Sequence, residues 1–142
     1  MFEKILVPTD ASEYSRRGLE TAIALAQKFN AKLVLLHVTH TPEAYLGYTV
    51  TYGISVSHSE LERIGQLALE ATLTGMAHDS VPLTTKLESG YPASVILRQI
   101  TEEDIDLVVM GSHGHGALIG SMLGSVSQRV LAHAACPVLI VK

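Results

Sequence analysis

Residues 106–141 read DLVVMGSHGHGALIGSMLGSVSQRVLAHAACPVLIV. Asp106 to Met110 is a short, β-branched apolar run, the pattern of a buried parallel strand. It stops at Gly111, and a loop of small residues follows with Gly114, Gly116, Gly120 and Gly124. Ser125-Val126-Ser127 then opens an amphipathic helix whose pattern carries Val126, Val130 and Leu131 inward. Val138 to Val141 is a final apolar strand. A strand that ends in glycine-rich backbone and feeds a serine-capped helix start is a place where anions bind. Glycine lets backbone approach closely, and the first amides of a helix have no intrahelical partner.

The spacing is Gly111-x2-Gly114-x9-Gly124-Ser125. No Gly-Lys-Ser/Thr follows, so this is not a Walker A loop. Gly114-x-Gly116 occurs, but the next glycine is four residues on at Gly120, a poor match to a dinucleotide fingerprint. Taken alone, the stretch also reads as a plain glycine loop joining a strand to a helix.

Working outward, Ile5 to Val7 is an apolar strand that stops at Pro8-Thr9-Asp10. Residues 13–29 carry Leu19, Ala22, Ile23, Ala26 and Phe29 at helical spacing, with Ser12 as N-cap and Asn30 in the C-terminal turn. Leu33 to Val38 is apolar on both faces and hence a central strand. Residues 40–58 read as an irregular, mobile connection. Ser57-x-x-Glu60 and Ser59-x-x-Glu62 are overlapping capping boxes for a helix through Leu61, Ile64, Ala68, Ala71 and Met76. Leu83 to Leu87 is more polar and suits a sheet edge. Pro92 fits the first helical position, and Ala93, Ile96, Leu97 and Ile100 form that helix's buried stripe. Strict alternation of strands and helices predicts an α/β fold: one open parallel five-stranded sheet with two helices on each face.

At 142 residues the chain reads as one domain, residues 1–142. Its core must be aliphatic, because 47% of residues are hydrophobic but only 5% aromatic. A net charge of −4 argues against a nucleic-acid surface, which needs a basic patch. No apolar run reaches the roughly 18 residues of a membrane span. Met1-Phe2-Glu3-Lys4-Ile5 leads straight into a strand rather than a signal peptide. The single cysteine cannot form an internal disulfide, so the expectation is a cytoplasmic protein.

The glycine spacing, Gly124-Ser125-Val126-Ser127 and Cys136-Pro137-Val138-Leu139-Ile140-Val141 together resemble the universal stress protein family, in its ATP-binding branch. Lys4 to Ser12 (KILVPTDAS), Leu36-His37-Val38 and Gly90-Tyr91-Pro92-Ala93 agree. The resemblance spans nearly the whole chain, apart from residues 40–58 and 77–82. It implies a Rossmann-like sheet of order three-two-one-four-five. The order reverses between strands one and four, and ligands in open α/β sheets sit beyond the strand ends at that reversal. Pro8-Thr9-Asp10 and Gly111-Ser112-His113-Gly114 then meet in one crevice.

The resemblance further implies ATP, with Mg²⁺ on its phosphates. Adenine would lie near Asp10 and the backbone of Val38, and ribose by Pro8 and Gly111. Phosphates would rest on amides and hydroxyls from Ser112 to His115 and from Gly124 to Ser127, Val126 included. Thr9 and Met110, at the same strand ends, complete the set. Asp10 alternatively reads as an N-cap of helix one. His113 and His115 form a His-x-His pair, a poor metal site without a third ligand. Cys136 reads as a small buried filler. The loop holds no Lys, Arg or carboxylate to drive phosphoryl transfer, so no catalytic residue is assigned. Holding ATP for regulation, through a signalling partner, is the leading function. A slow ATPase or phosphotransferase is the alternative, and a nucleotide-free dimeric adaptor the third. The apolar run Val138–Val141, placed at a sheet edge by the implied order, predicts a homodimer paired through strand five.

Overall fold

The computed structural model of the chain describes residues 1–39, 57–115 and 122–142. The elements alternate as expected: β1 (Lys4–Pro8), α1 (Glu13–Phe29), β2 (Lys32–Thr39), α2 (His58–Leu73), β3 (Leu83–Ser89), α3 (Pro92–Glu102), β4 (Leu107–Gly111), α4 (Ser125–His133) and β5 (Val138–Val141). The five strands form one parallel sheet in the order β3-β2-β1-β4-β5. The expected connection of residues 40–58 falls, up to residue 56, outside the described residues, as do loop positions 116–121.

Strand alternation sorts the core into two layers, because successive side chains point to opposite faces. Ile5, Val7, Leu33, Leu35, Leu107 and Val109 pack with Leu19, Ala22, Ile23 and Ala26 of α1 and Leu69 of α2. Leu6, Val34, Leu36, Val38, Val108 and Met110 pack with Ala93, Val95, Ile96 and Ile100 of α3 and Val130 of α4. The central strands are thus apolar on both faces. Each fully buried Leu or Ile contributes about 1.5–3 kcal/mol relative to exposure.

Local signals set the helix ends. Ser12 Oγ accepts the Ser15 amide at 3.2 Å, and Asn30 closes α1 in the left-handed conformation with φ 57°. Ser57 Oγ accepts the Glu60 amide at 3.2 Å, so Ser57, from the first of the two candidate boxes, is the N-cap of α2, while the Glu60 carboxylate holds Arg63. Ser59 lies inside the first turn. Pro92 opens α3 as expected.

Several details correct the sequence reading. The N-cap of α4 is Gly124, without a side-chain cap bond, and Ser125 is the first helical residue. Leu131 is not inward but 47% exposed, because it sits about 100° round the helix from buried Val130. Ile64 is likewise 47% exposed. The inner face of α2 is Leu61, Gly65, Leu69 and Thr72, and Gly65 takes the position nearest the sheet. A Cβ there would meet Leu87 Cδ1 at 2.5 Å and Thr39 Cγ2 at 2.8 Å. An apolar count favours isoleucine; close packing selects the glycine. Met76 lies beyond the end of α2, and Cys136 is half-buried against the α3/α4 layer.

The end of the sheet opposite the strand carboxyl termini is charged. Glu103 takes Lys86 Nζ at 2.7 Å and Lys4 Nζ at 3.0 Å. Asp106 accepts the amides of Glu3 at 2.8 Å and Lys4 at 3.2 Å. The hydrogen bonds from Lys86 and Lys4 hold the Glu103 carboxyl down at about 2, from 4.5. A carboxylate whose folded value is depressed adds stability above its unfolded value and loses it as pH falls. Wild-type protein is therefore expected to lose stability between pH 4.5 and about 2 more steeply than Glu103→Gln, as urea midpoints across that range would measure.

Candidate functional site

β1 and β4 part company at their carboxyl ends. β1 keeps register with β2 as far as Pro8↔Leu36, and the Thr9 amide still donates to Leu36 O at 2.8 Å. Toward β4 the paired residues are Ile5↔Leu107 and Leu6↔Val108. β4 leans instead on β5, with Ser112 N–H donating to Val141 O at 2.8 Å. The strand order reverses at this point, and a crevice of about 760 Å³ opens beyond it.

Pro8, Thr9, Asp10, Val38, Met110, Gly111, His113, Gly114, His115, Gly124, Ser125, Val126 and Ser127 all line this crevice. Ser112 is buried beside it, 2% exposed. Residues the sequence reading left without a role also line it: His37, Thr39, Leu61 and Ile64 on one flank, Pro92, Ile96, Leu123 and Gln128 on the other. The signal for His37 was its place at the end of a central strand. Among the described lining residues there is no Lys or Arg, and Arg129 is exposed outside the crevice.

Asp10 ties the two loops together. Its Oδ1 accepts Ser12 N–H at 2.9 Å and the Ser15 hydroxyl at 3.2 Å. Its Oδ2 accepts His115 N–H at 3.0 Å, across 105 positions of sequence. Burial, the largest single influence, pushes the Asp10 carboxyl up. The hydrogen bonds from Ser12 and His115 and the nearby His115 together outweigh it, so the group sits below its ordinary 3.8. Ser12 caps α1, and Asp10 braces the turn before it.

Glycine is required where these loops touch. A Cβ on Gly114 would collide with Asp10 Oδ2. A Cβ on Gly111 would lie 2.7 Å from Tyr14 C and 2.8 Å from Tyr14 Cβ. Gly124 comes close as well: its Cβ would stand 3.3 Å from His113 Cα, and its amide donates to Ser112 O at 2.7 Å.

Several groups named from the sequence have internal partners. Ser112 Oγ lies 3.0 Å from His113 Nδ1, and Ser127 Oγ donates to Gly111 O at 2.9 Å. Thr9 Oγ1 contacts Ser15 Oγ at 3.0 Å and Thr72 Oγ1 at 2.8 Å. The amides of Ser112, His115 and Gly124 donate within the protein. The amides of Gly114, Ser125, Val126 and Ser127 and the Ser125 hydroxyl have no such partner among the described residues. The His113 and Tyr14 rings meet at a tilt of 51° with centroids 5.3 Å apart, and the Tyr14 ring carries Arg17 Cζ at 5.1 Å.

The family model described as the universal stress protein family matches residues 1–142. The chain belongs to the universal stress protein family. A universal stress protein from Thermus aquaticus, named for the QAH/OAS sulfhydrylase 3' region, is 37% identical over 143 residues, covering all of both chains. The solved structure of universal stress protein UspA from Lactobacillus plantarum superposes with a TM-score of 0.79 at 24% identity, covering 99% of this chain and 98% of its own. A universal stress protein crystallised in complex with cAMP is 25% identical with a TM-score of 0.67, covering 99% of this chain and 96% of its own. Among the described residues of this family member, no helix is long and apolar enough to cross a membrane.

Gly111→Ala tests the close approach directly. The obstructing atoms are Tyr14 backbone and Cβ, which cannot swing aside. A loss of about 1–3 kcal/mol is expected, read as a lowered urea midpoint. Gly18→Ala is the control, because its Cβ would meet Gly111 N at an ordinary 3.4 Å.

Proposed function

We propose that this universal stress protein holds an adenine nucleotide, ATP with Mg²⁺, in the β1/β4 crevice and acts as a nucleotide-dependent regulatory protein of the cytoplasm. The observation that carries this reading is the set of donors without internal partners at the start of α4. The amides of Ser125, Val126 and Ser127, the Ser125 hydroxyl and the Gly114 amide adjoin a cavity large enough for a nucleotide. The first amides of a helix carry partial positive charge and suit phosphate oxygens. The glycines fit the same role, since a side chain at Gly114 or Gly124 would intrude on the loop contacts that shape the cradle. A relative crystallised with cAMP supports an adenine nucleotide as the class of ligand.

Adenine would lie near Asp10 and the backbone of Val38, ribose by Pro8 and Gly111, and the phosphates on the α4 cradle. Among the described residues no three His, Cys, Asp or Glu side chains converge. Mg²⁺ would then be carried by the phosphates. Fast phosphoryl transfer requires a cationic clamp and an oriented nucleophile. With no lysine or arginine among the described lining residues, retention of ATP fits better than its cleavage.

Calorimetry with MgATP is expected to give a saturable site. Gly124→Val should abolish it by forcing the side chain against the His113 and Ser112 backbone that shapes the cradle, and Cys136→Ala should leave it intact. Absence of binding to wild-type protein would reject the site. Turnover on the order of 1 s⁻¹ would favour an enzyme instead.

We further propose a homodimer joined along β5, from which a signalling partner would read the nucleotide state. β5 is an edge strand, paired with β4 on one side. Leu139 is 39% exposed on it. Open apolar edges invite pairing with a second chain. Light scattering should give twice the chain mass at micromolar concentration, and Leu139→Asp should shift it toward the monomer.

A further inference from the structure

We propose that Thr72 is a positioning residue for the crevice: its hydroxyl pins Thr9, Thr9 pins the strained turn at Ala11, and that turn aims Asp10 at the loop after β4. The consequence for ligand affinity rests on the nucleotide reading above; the positioning of Asp10 does not.

The turn between β1 and α1 holds strain. Ala11 sits at φ 65°, in the left-handed region, which a residue with a Cβ keeps only where its surroundings over-determine it. Two side chains do so. Thr9 Oγ1 accepts the Ala11 amide at 3.0 Å, and Asp10 Oδ1 accepts the Ser12 amide at 2.9 Å. Asp10 is thus both a pin of the turn and the group that takes His115 N–H at 3.0 Å. Thr9 is the other pin, and its orientation is set from outside the turn.

Thr72 of α2 sets it. The Thr72 hydroxyl donates to Ala68 O at 2.7 Å. A hydroxyl has one hydrogen, and a carbonyl oxygen can only accept. In the 2.8 Å contact between Thr72 Oγ1 and Thr9 Oγ1, Thr9 is therefore the donor. Ser15 Oγ, the other acceptor in reach of the Thr9 hydrogen, is farther at 3.0 Å and receives the Ser12 hydroxyl at 3.3 Å. With its hydrogen drawn toward Thr72, Thr9 keeps a lone pair for the Ala11 amide. Thr72 and Thr9 are buried, so water does not compete for either hydroxyl. α2 has a separate fastening to α1, because Arg16 Nη2 donates to Thr74 O at 2.7 Å, and Leu69 packs in the core. Loss of the Thr72 hydroxyl frees Thr9 without undocking the helix.

The test removes that hydroxyl and watches Asp10 through its far partner. Thr72→Val keeps the volume, but a methyl 2.8 Å from Thr9 Oγ1 would overlap it, so Thr9 moves. Thr72→Ser keeps the hydroxyl. Thr72→Ala removes it without the overlap and carries the same expectation if the valine variant does not fold, as thermal melts decide. In ¹⁵N-labelled protein the Asp10 carboxylate draws the His115 amide proton downfield, and Asp10→Asn marks where that resonance stands without the charge. Thr72→Val should move it toward the Asp10→Asn position, and Thr72→Ser should leave it near wild type. Calorimetry should show Thr72→Val binding MgATP about tenfold more weakly, the worth of one hydrogen bond, with Thr72→Ser close to wild type. Glycine takes the left-handed turn without strain, so Thr72→Val should move the His115 resonance less in an Ala11→Gly background. A His115 resonance unmoved in the folded hydroxyl-free variants overturns the proposal, as does an equal displacement in Thr72→Ser or an undiminished one with Ala11→Gly. Unchanged MgATP affinity beside a moved resonance overturns the bearing of Thr72 on the ligand. Absence of MgATP binding to wild type rejects the nucleotide reading, while the His115 resonance still decides the role of Thr72.

Discussion

The crevice depends on one carboxylate. Asp10 takes three donors, from the turn into α1 and from the loop after β4, and so bridges two segments far apart in sequence. The sheet itself is built to leave the gap, since β1 follows β2 while β4 follows β5. The bridge needs Asp10 ionised, and the donors around it keep it so despite its burial. It also needs Gly114 to have no side chain, because the carboxylate oxygen occupies that space. Charge at one position and absence of a side chain at the other are two halves of the same contact.

The fold was legible because β-branched and aliphatic runs with punctuation by Gly, Pro, Ser and Asn set nearly every element. Ser12, Asn30, Ser57 and Pro92 each do in space what their chemistry implies. Strand order came from the family resemblance, since periodicity says nothing about which strands are neighbours. The errors share a cause. Leu131 reads as inward because it is apolar, yet surface apolar residues are common. Gly65 was passed over, because a glycine at a tight helix–sheet contact leaves no hydrophobic signal.

The site was legible at the level of segments and less so at the level of atoms. The two strand-end motifs do meet. Which of their groups face the crevice could not be read from residue type. Serine and threonine satisfy nearby backbone and hydroxyl groups readily, and Ser112, Ser127 and Thr9 do so here. Ser125 differs by standing first in its helix with its side chain exposed. His37 went unassigned because a histidine inside an apolar strand looks like core. Its position one residue before Val38 brings it to the mouth of the crevice.

The cluster around Glu103 has a consequence for how the molecule opens. β3 is a polar edge strand that pairs with β2 alone, and its midpoint Lys86 is fastened through Glu103 to Lys4 of the central strand. The partners are partly exposed, so dissolved ions screen their attraction. The buried centre of β1 and β4 has no comparable sensitivity. Ionic strength therefore acts on the sheet from one side. It loosens amide protection along β3 first, while the strands that frame the crevice keep theirs until the whole domain unfolds.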